Sequence, residues 1–431
     1  MTIAAPPSVP LPRSSIAIAA FSTIVEWYDF TLYLYLATVL SRVFFTGEGS
    51  ILVTLGGFAI AYLMRPVGAI VFGHIGDRHG RRPAMLVSMA LMTASMLATA
   101  LLPTHAQAGH LAGVLLLLIR CVMGFSVGGE YTGVVAYLLE GAPPERRGLI
   151  TSLAAASSEV GALLAAGVAA VTVSSMSSEA LEGWGWRIPF LIGAGLAAGI
   201  LLARAVMRES PEFERQQALG TVPQNPLRHS LKHYRPAIFR GFAISALGSI
   251  TYYVGITYVP IYLTSAGSLD EAGALWLATI AAVAVIVVTP LVGAASDRWG
   301  RKPVLVALAV LSAIAPIAMF WLMANSAQAA ATLGAVVLAF IAGGVSAVAA
   351  SATAEQFPGE ARLSGLAFGV TSATAIFGGL TPWIAQLLLE RGGWSPVPGA
   401  MIAVVACAVL PVVVMMPETA PRRLRHDASV P

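Results

Sequence analysis

Six ionisable residues stand inside otherwise apolar stretches of this chain: Glu26, Asp29, Arg65, Arg120, Glu130 and Glu159. A charge deep in such a stretch costs about 2.5 to 3.5 kcal/mol even on a lenient insertion scale, so it faces a cavity and has a task there. A carboxylate beside a guanidinium can be poised between its charged and neutral forms, and the guanidinium it releases can bind an anion. The chemistry open to these residues is therefore the coupling of a proton to a charged solute. All six lie in the first half of the chain, which points to coupling there, with the second half completing a cavity.

These charges need helices that cross a membrane. Of the 431 residues 57% are hydrophobic and 11% charged, outside the range of soluble domains. Apolar runs near the roughly 20 residues that a bilayer requires occur at 16–40, 51–73, 83–102, 110–139, 149–172 and 186–206, then at 236–263, 272–295, 303–323, 330–353, 362–389 and 396–416. The predicted fold is all-α: twelve transmembrane helices in two pseudo-symmetric six-helix halves, 16–206 and 236–416. A polar central loop at 207–235 joins them, a disordered segment precedes them at 1–15, and a tail follows at 417–431. The first helix serves as an uncleaved insertion signal. Most of the 25 Lys and Arg fall on the side of the termini and central loop, which makes that side cytoplasmic in a multi-pass protein of the cell inner membrane.

Helix rise sets the depth of each charge. Asp29 lies about 20 Å from the cytoplasmic end of its span and Arg120 about 15 Å from the outer end of its own, so the two share a level and can pair. Glu159, about 16 Å along the fifth span, can join them. Glu26 lies three residues before Asp29 and can share its face. Proton coupling is thus assigned to Asp29, Arg120, Glu159 and Glu26: protonation of Asp29 frees Arg120 for a carboxylate on the solute. Locked helix pairing is the plainer alternative. Arg65 and Glu130 fall nearer the cytoplasm, where Glu130 can brace a network with Arg65. The substrate site is expected at Arg120 with the aromatics Tyr28, Tyr131, Tyr252, Tyr253 and Trp383.

A duplicated turn carries the next signal. Gly73, Asp77, Arg78, Gly80, Arg81 and Arg82 repeat 220 residues later as Gly293, Asp297, Arg298, Gly300, Arg301 and Lys302, each copy between two spans. Repeated elements at equivalent places in two membrane halves mark a transporter. The turns are expected to form a cytoplasmic gate, with Asp77 pairing with Arg81 or facing the N-terminus of a neighbouring helix. Anchoring topology is the plainer role of the basic residues. Pro66, Pro260, Pro290 and Pro382, and the pairs Gly128–Gly129, Gly343–Gly344 and Gly378–Gly379, suit close packing or bending.

The repeated turn, the six-plus-six layout and the polar middle loop resemble the major facilitator superfamily. Five strings narrow the resemblance to its metabolite:proton symporter family: Glu26-Trp27-Tyr28-Asp29-Phe30; Leu63-Met64-Arg65-Pro66-Val67-Gly68-Ala69; Gly124-Phe125-Ser126-Val127-Gly128-Gly129-Glu130-Tyr131; Trp184-Gly185-Trp186-Arg187-Ile188-Pro189-Phe190; and Glu209-Ser210-Pro211-Glu212-Phe213. The resemblance implies alternating access and, with Ser372 to Pro382 similar to the citrate-proton branch, uptake of a small carboxylate-bearing metabolite with protons. A proline or betaine zwitterion is the alternative. The family's osmosensory carriers can end in a long coiled coil; about fifteen residues follow the last span here, which does not favour that device.

Other classes fare worse. A drug:proton antiporter would carry a Gly-Pro signature in its fifth span, and Ser157 to Gly167 contain no proline. A nutrient receptor would add a signalling extension. No Ser/His/Asp, zinc-spaced or phosphate-cradling pattern supports an enzyme, and Cys121 and Cys407 read as packing residues. The expectations are a monomer in the lipid bilayer, driven by the proton gradient, binding a small metabolite and protons, with no cofactor, metal or nucleic acid.

Overall fold

A computed structural model describes residues 11–45, 50–265, 271–325 and 328–421, and every described regular element is helical. Helix satisfies each backbone N–H and C=O within one segment, which hydrocarbon surroundings demand. Ten helical stretches among the described residues are long and apolar enough to cross a membrane. Two more long helices, α1 (Arg13–Tyr35) and α2 (Ser50–His79), carry Glu26, Asp29, Arg65 and Pro66. The protein is an all-α membrane protein. Residues 1–10 and 422–431, the latter holding Arg422, Arg423 and Arg425, lie outside the described residues, and α1 begins at Arg13 within the segment expected to be disordered.

The described residues form two compact units. One holds the chain up to Tyr137 together with Ser157–Leu227; the other holds Leu138–Ala156 and the chain from Arg228 onward. In the first unit α1 and α2 pack with α3 (Arg81–Ala100), α4 (His110–Gly128), most of α5 (Glu130–Gly141), the later part of α6 (Arg147–Ser174) and α7 (Arg187–Ala205). Tyr28, Leu32, Tyr33, Met89, Met92, Met96, Leu116, Trp186 and Phe190 form its core. The Trp186 ring lies edge-on to Phe44 at 4.9 Å.

Small residues fix the closest crossing in this unit. A Cβ added at Gly124 would fall 1.9 Å from the Ala61 carbonyl oxygen, and one at Gly128 2.0 Å from that of Arg65. Helices α2 and α4 therefore touch backbone to backbone, as small residues in membrane helices permit. The polar connection after α7 folds as α8 (Pro211–Leu219). Its Ser210 N-cap accepts from the Phe213 amide at 3.0 Å, Pro211 stands where a missing N–H costs nothing, and Gly220 closes it with a left-handed backbone.

The second unit contains α9 (Arg235–Tyr252), α10 (Glu271–Trp299), α11 (Arg301–Asn325), α12 (Gln328–Ala354), α13 (Arg362–Leu366), α14 (Thr381–Gly392) and α15 (Val397–Met415). Ile244, Leu247, Leu305, Val345, Val348 and Val413 lie in one of its cores. Three wide π-helical turns interrupt it at Tyr253–Thr257, Ala367–Thr371 and Ala375–Gly379. The first falls beside Pro260 and the third at Gly378–Gly379, where the sequence pattern suited packing or bending, and such turns are frequent at functional positions. Cys121 is half-buried and Cys407 exposed, so the packing role expected of Cys407 does not hold.

Candidate functional site

The first unit encloses a small cavity lined by Glu26, Asp29, Phe30, Ala61, Tyr62, Arg65, Arg120, Met123, Gly124 and Val127. Helical periodicity explains the set. Glu26, Asp29 and Phe30 share one face of α1 through three- and four-residue steps, Ala61, Tyr62 and Arg65 do so on α2, and Arg120, Met123, Gly124 and Val127 on α4.

Two ion pairs occupy this space. Arg120 holds Asp29 with both terminal nitrogens, Nη1 donating to Oδ1 at 3.2 Å and Nη2 to Oδ2 at 2.5 Å. Its guanidinium carbon also lies 4.6 Å from the centre of the Tyr33 ring. The forked geometry matches carboxylate and guanidinium closely. The second pair is looser: Arg65 Nη1 stands 3.5 Å from Glu26 Oε1. Arg65 lies instead over the rings of Tyr62 and Phe30, at 4.4 and 4.8 Å from their centres. Glu26 is 2% exposed, and its Oε2 has no hydrogen-bond partner. The cavity thus presents two carboxylates, two guanidiniums and two aromatic rings, with no net charge when all four groups are ionised.

Beside this cluster lies a second polar network. Glu130, fully buried, pairs with Arg204 through both oxygens, accepts from Ser88 Oγ at 2.8 Å and from Ser22 Oγ at 3.3 Å, while Arg204 Nη1 also donates to the Met85 carbonyl at 2.7 Å. This corrects the expected bracing of Glu130 by Arg65. Arg204 falls near the end of the expected span 186–206 and was not among the six charges singled out from the sequence. Its flanks, Leu201-Leu202-Ala203 and Ala205-Val206-Met207, were the available sign that it lies in an apolar setting. Phe30 and Tyr62 were also passed over; each stands three or four residues from a buried charge, Phe30 after Glu26 and Tyr62 before Arg65.

The remaining candidates are dispersed. Glu159 is buried on α6 and does not line this cavity. Tyr28 has no exposed surface, and its hydroxyl donates to the Pro189 carbonyl at 2.9 Å, a packing arrangement. Tyr131 is half-buried on α5. In the second unit Tyr253 is buried with its ring 5.4 Å from that of Tyr252, and Trp383 is 67% exposed.

Both charged turns share one internal geometry. Gly80 and Gly300 have φ of 113° and 104°, conformations in which a side chain is strained, and each separates two long helices. Asp77 and Arg81 pair at 2.8 Å, and so do Asp297 and Arg301. Glu209 accepts from the Arg81 and Arg82 amides at 2.9 and 3.2 Å; Glu418 does the same for Arg301 and Lys302 at 2.9 and 3.2 Å. These carboxylates cap helix starts, where negative charge is favoured. Burial pushes the Glu209 carboxyl up from its ordinary range while the amides pull it down. Within the second unit Asp297 also accepts from the Gly148 and Leu149 amides at 2.7 and 2.9 Å, the helix N-terminus contact anticipated for Asp77. Gly73 is buried on α2; Arg78 is exposed and donates to the Gln224 carbonyl at 3.0 Å; Arg298 is exposed.

Residues 15–219 match the family described as sugar (and other) transporter, and residues 266–430 match the major facilitator superfamily. The chain is 34% identical to the ectoine/proline transporter ProP of Corynebacterium glutamicum, over 90% of this chain and 81% of that one. It is 31% identical to the citrate-proton symporter of Klebsiella pneumoniae, over 90% and 88%. The fold resembles that of the proton:xylose symporter XylE solved with 6-bromo-6-deoxy-D-glucose, with a TM-score of 0.79, 20% identity, and coverage of 94% of this chain and 96% of that one. Two helical units bearing the same charged turn, charges buried between apolar helices, and this set of relatives place the chain in the major facilitator superfamily of transporters.

Proposed function

We propose that the protein is a proton-coupled symporter, working as a monomer in the cell inner membrane with both termini and both charged turns cytoplasmic, and that its solute is a small zwitterion with one carboxylate and one nearby cationic nitrogen. The Asp29–Arg120 pair carries this reading. An anion that takes Arg120 leaves the Asp29 carboxylate buried and alone, a state costing several kcal/mol unless Asp29 takes up a proton. A zwitterion avoids that cost. Its carboxylate replaces Asp29 on Arg120, its cation replaces Arg120 beside Asp29, and every charge keeps a partner. Likeness to the ectoine/proline transporter agrees, both compounds being zwitterions.

A carboxylate-only metabolite such as citrate is the second reading, and it was the first expectation from the sequence. Arg65 favours it by offering the cavity a second guanidinium, and so does the likeness to the citrate-proton symporter. Uptake of labelled proline into proteoliposomes with an alkaline interior, challenged with excess glycine betaine, ectoine, 2-oxoglutarate or citrate, separates the two. Competition by the zwitterions alone is the expected result. Proline that is not taken up, with labelled citrate accumulating instead, would refute the zwitterion.

A further inference from the structure

We propose that Glu26, not Asp29, is the residue that carries the co-transported proton. The inference rests on the symport reading above and deepens it. The other two buried carboxylates close to Glu26, Asp29 and Glu130, each have a tight partner. Asp29 is held by two nitrogens of Arg120, and Glu130 by both terminal nitrogens of Arg204 together with Ser88 and Ser22. Glu26 differs. It is buried, one oxygen has no hydrogen-bond partner, and the contact of the other to Arg65 is at 3.5 Å, long for a charge-assisted bond.

An ionised carboxylate in that state pays most of its desolvation cost without recovering it, whereas a neutral carboxyl does not. The groups that face it comprise Asp29 on its own helix, Tyr62 and Arg65 on α2, Arg120 on α4, Glu130 and Tyr131 on α5, and Arg204 on α7. Beyond Arg65, the guanidinium of Arg204 is committed to Glu130 and that of Arg120 to Asp29.

The proton balance is simple. Protonation forms the O–H bond on Glu26, and Arg65 remains over its two aromatic rings. Release breaks that bond, returns the proton to water on the other side, and leaves a carboxylate for Arg65 to draw onto. The zwitterion exchanges with Asp29 and Arg120 without altering the proton count. One residue therefore carries the proton, and its neighbour one helical turn away holds the solute.

The test uses the full chain in proteoliposomes with an entrapped pH dye, and proline and glycine betaine as solutes. In Glu26→Gln the proton signal on solute addition is expected to vanish and accumulation to fall to simple equilibration, while exchange of labelled for unlabelled solute persists. In Asp29→Asn exchange itself is expected to fail. A Glu26→Gln protein that still moves protons with solute overturns the proposal, and so does one that loses exchange together with proton movement. Infrared spectroscopy supplies an arm independent of transport: the wild type should show a protonated carboxyl band that moves in Glu26→Asp, and no such band would also overturn it. A wild type that carries neither solute nor protons would sink the symport reading while leaving the infrared arm to decide on Glu26.

Discussion

Removing the Glu130 carboxylate is the sharpest structural perturbation available. Glu130 and Arg204 are respectively 0% and 1% exposed and connect α1, α3, α5 and α7 through Ser22, the Met85 carbonyl and Ser88. Glu130→Ala leaves the guanidinium with the Met85 carbonyl and Ser22 as its named acceptors. Breaking one side of a buried pair costs about 3 to 5 kcal/mol. In a unit of this size each kcal/mol moves the melting point by roughly 2 to 4 °C, so a drop on the order of 10 °C is expected. The assay is thermal loss of the monodisperse peak in detergent. The double variant Glu130→Leu with Arg204→Met removes both charges and should recover most of the loss, because paired replacement by apolar groups is often neutral. If Glu130→Ala melted within about 2 °C of the parent, or if the double variant were the less stable of the two, the reasoning would fail.

Other predictions follow from the same geometry. Gly124→Val forces a side chain toward the Ala61 carbonyl and should lower folded yield strongly, with Gly124→Ala between the two, as read by fluorescence-detected chromatography. Asp77→Asn and Asp297→Asn each weaken a buried pair in a charged turn. Bonds to charged groups are worth about 1.5 to 3 kcal/mol, so a shift in access of about tenfold or more should appear as a changed initial uptake rate at normal insertion. Full-rate transport by both variants would count against a gate.

Much of the architecture was legible because membrane helices advertise themselves. Uninterrupted apolar runs have one structural solution in hydrocarbon, and the repeated Gly-Asp-Arg-Gly-Arg pattern marked the two turns. Asp29 and Arg120 could be matched from helix rise alone, since depth is a linear function of position. Rotation and tilt are not linear in that way. Glu130 was set against Arg65 by level, but rotation turns it to Arg204 on α7, and Arg65 faces Glu26. The same limitation hid Phe30 and Tyr62 and gave Tyr28 a cavity role although its hydroxyl is committed to Pro189. The capping glutamates Glu209 and Glu418 were not recognised because each contacts a helix start more than a hundred residues away in sequence, a relation that only folding creates.

One measurement bears most directly on zwitterion–proton symport: the entrapped-dye signal when proline, glycine betaine, 2-oxoglutarate or citrate is added to proteoliposomes at matched initial pH. The account predicts proton entry with proline or glycine betaine and none with the two carboxylates. Proton entry with citrate or 2-oxoglutarate and silence with both zwitterions would contradict it.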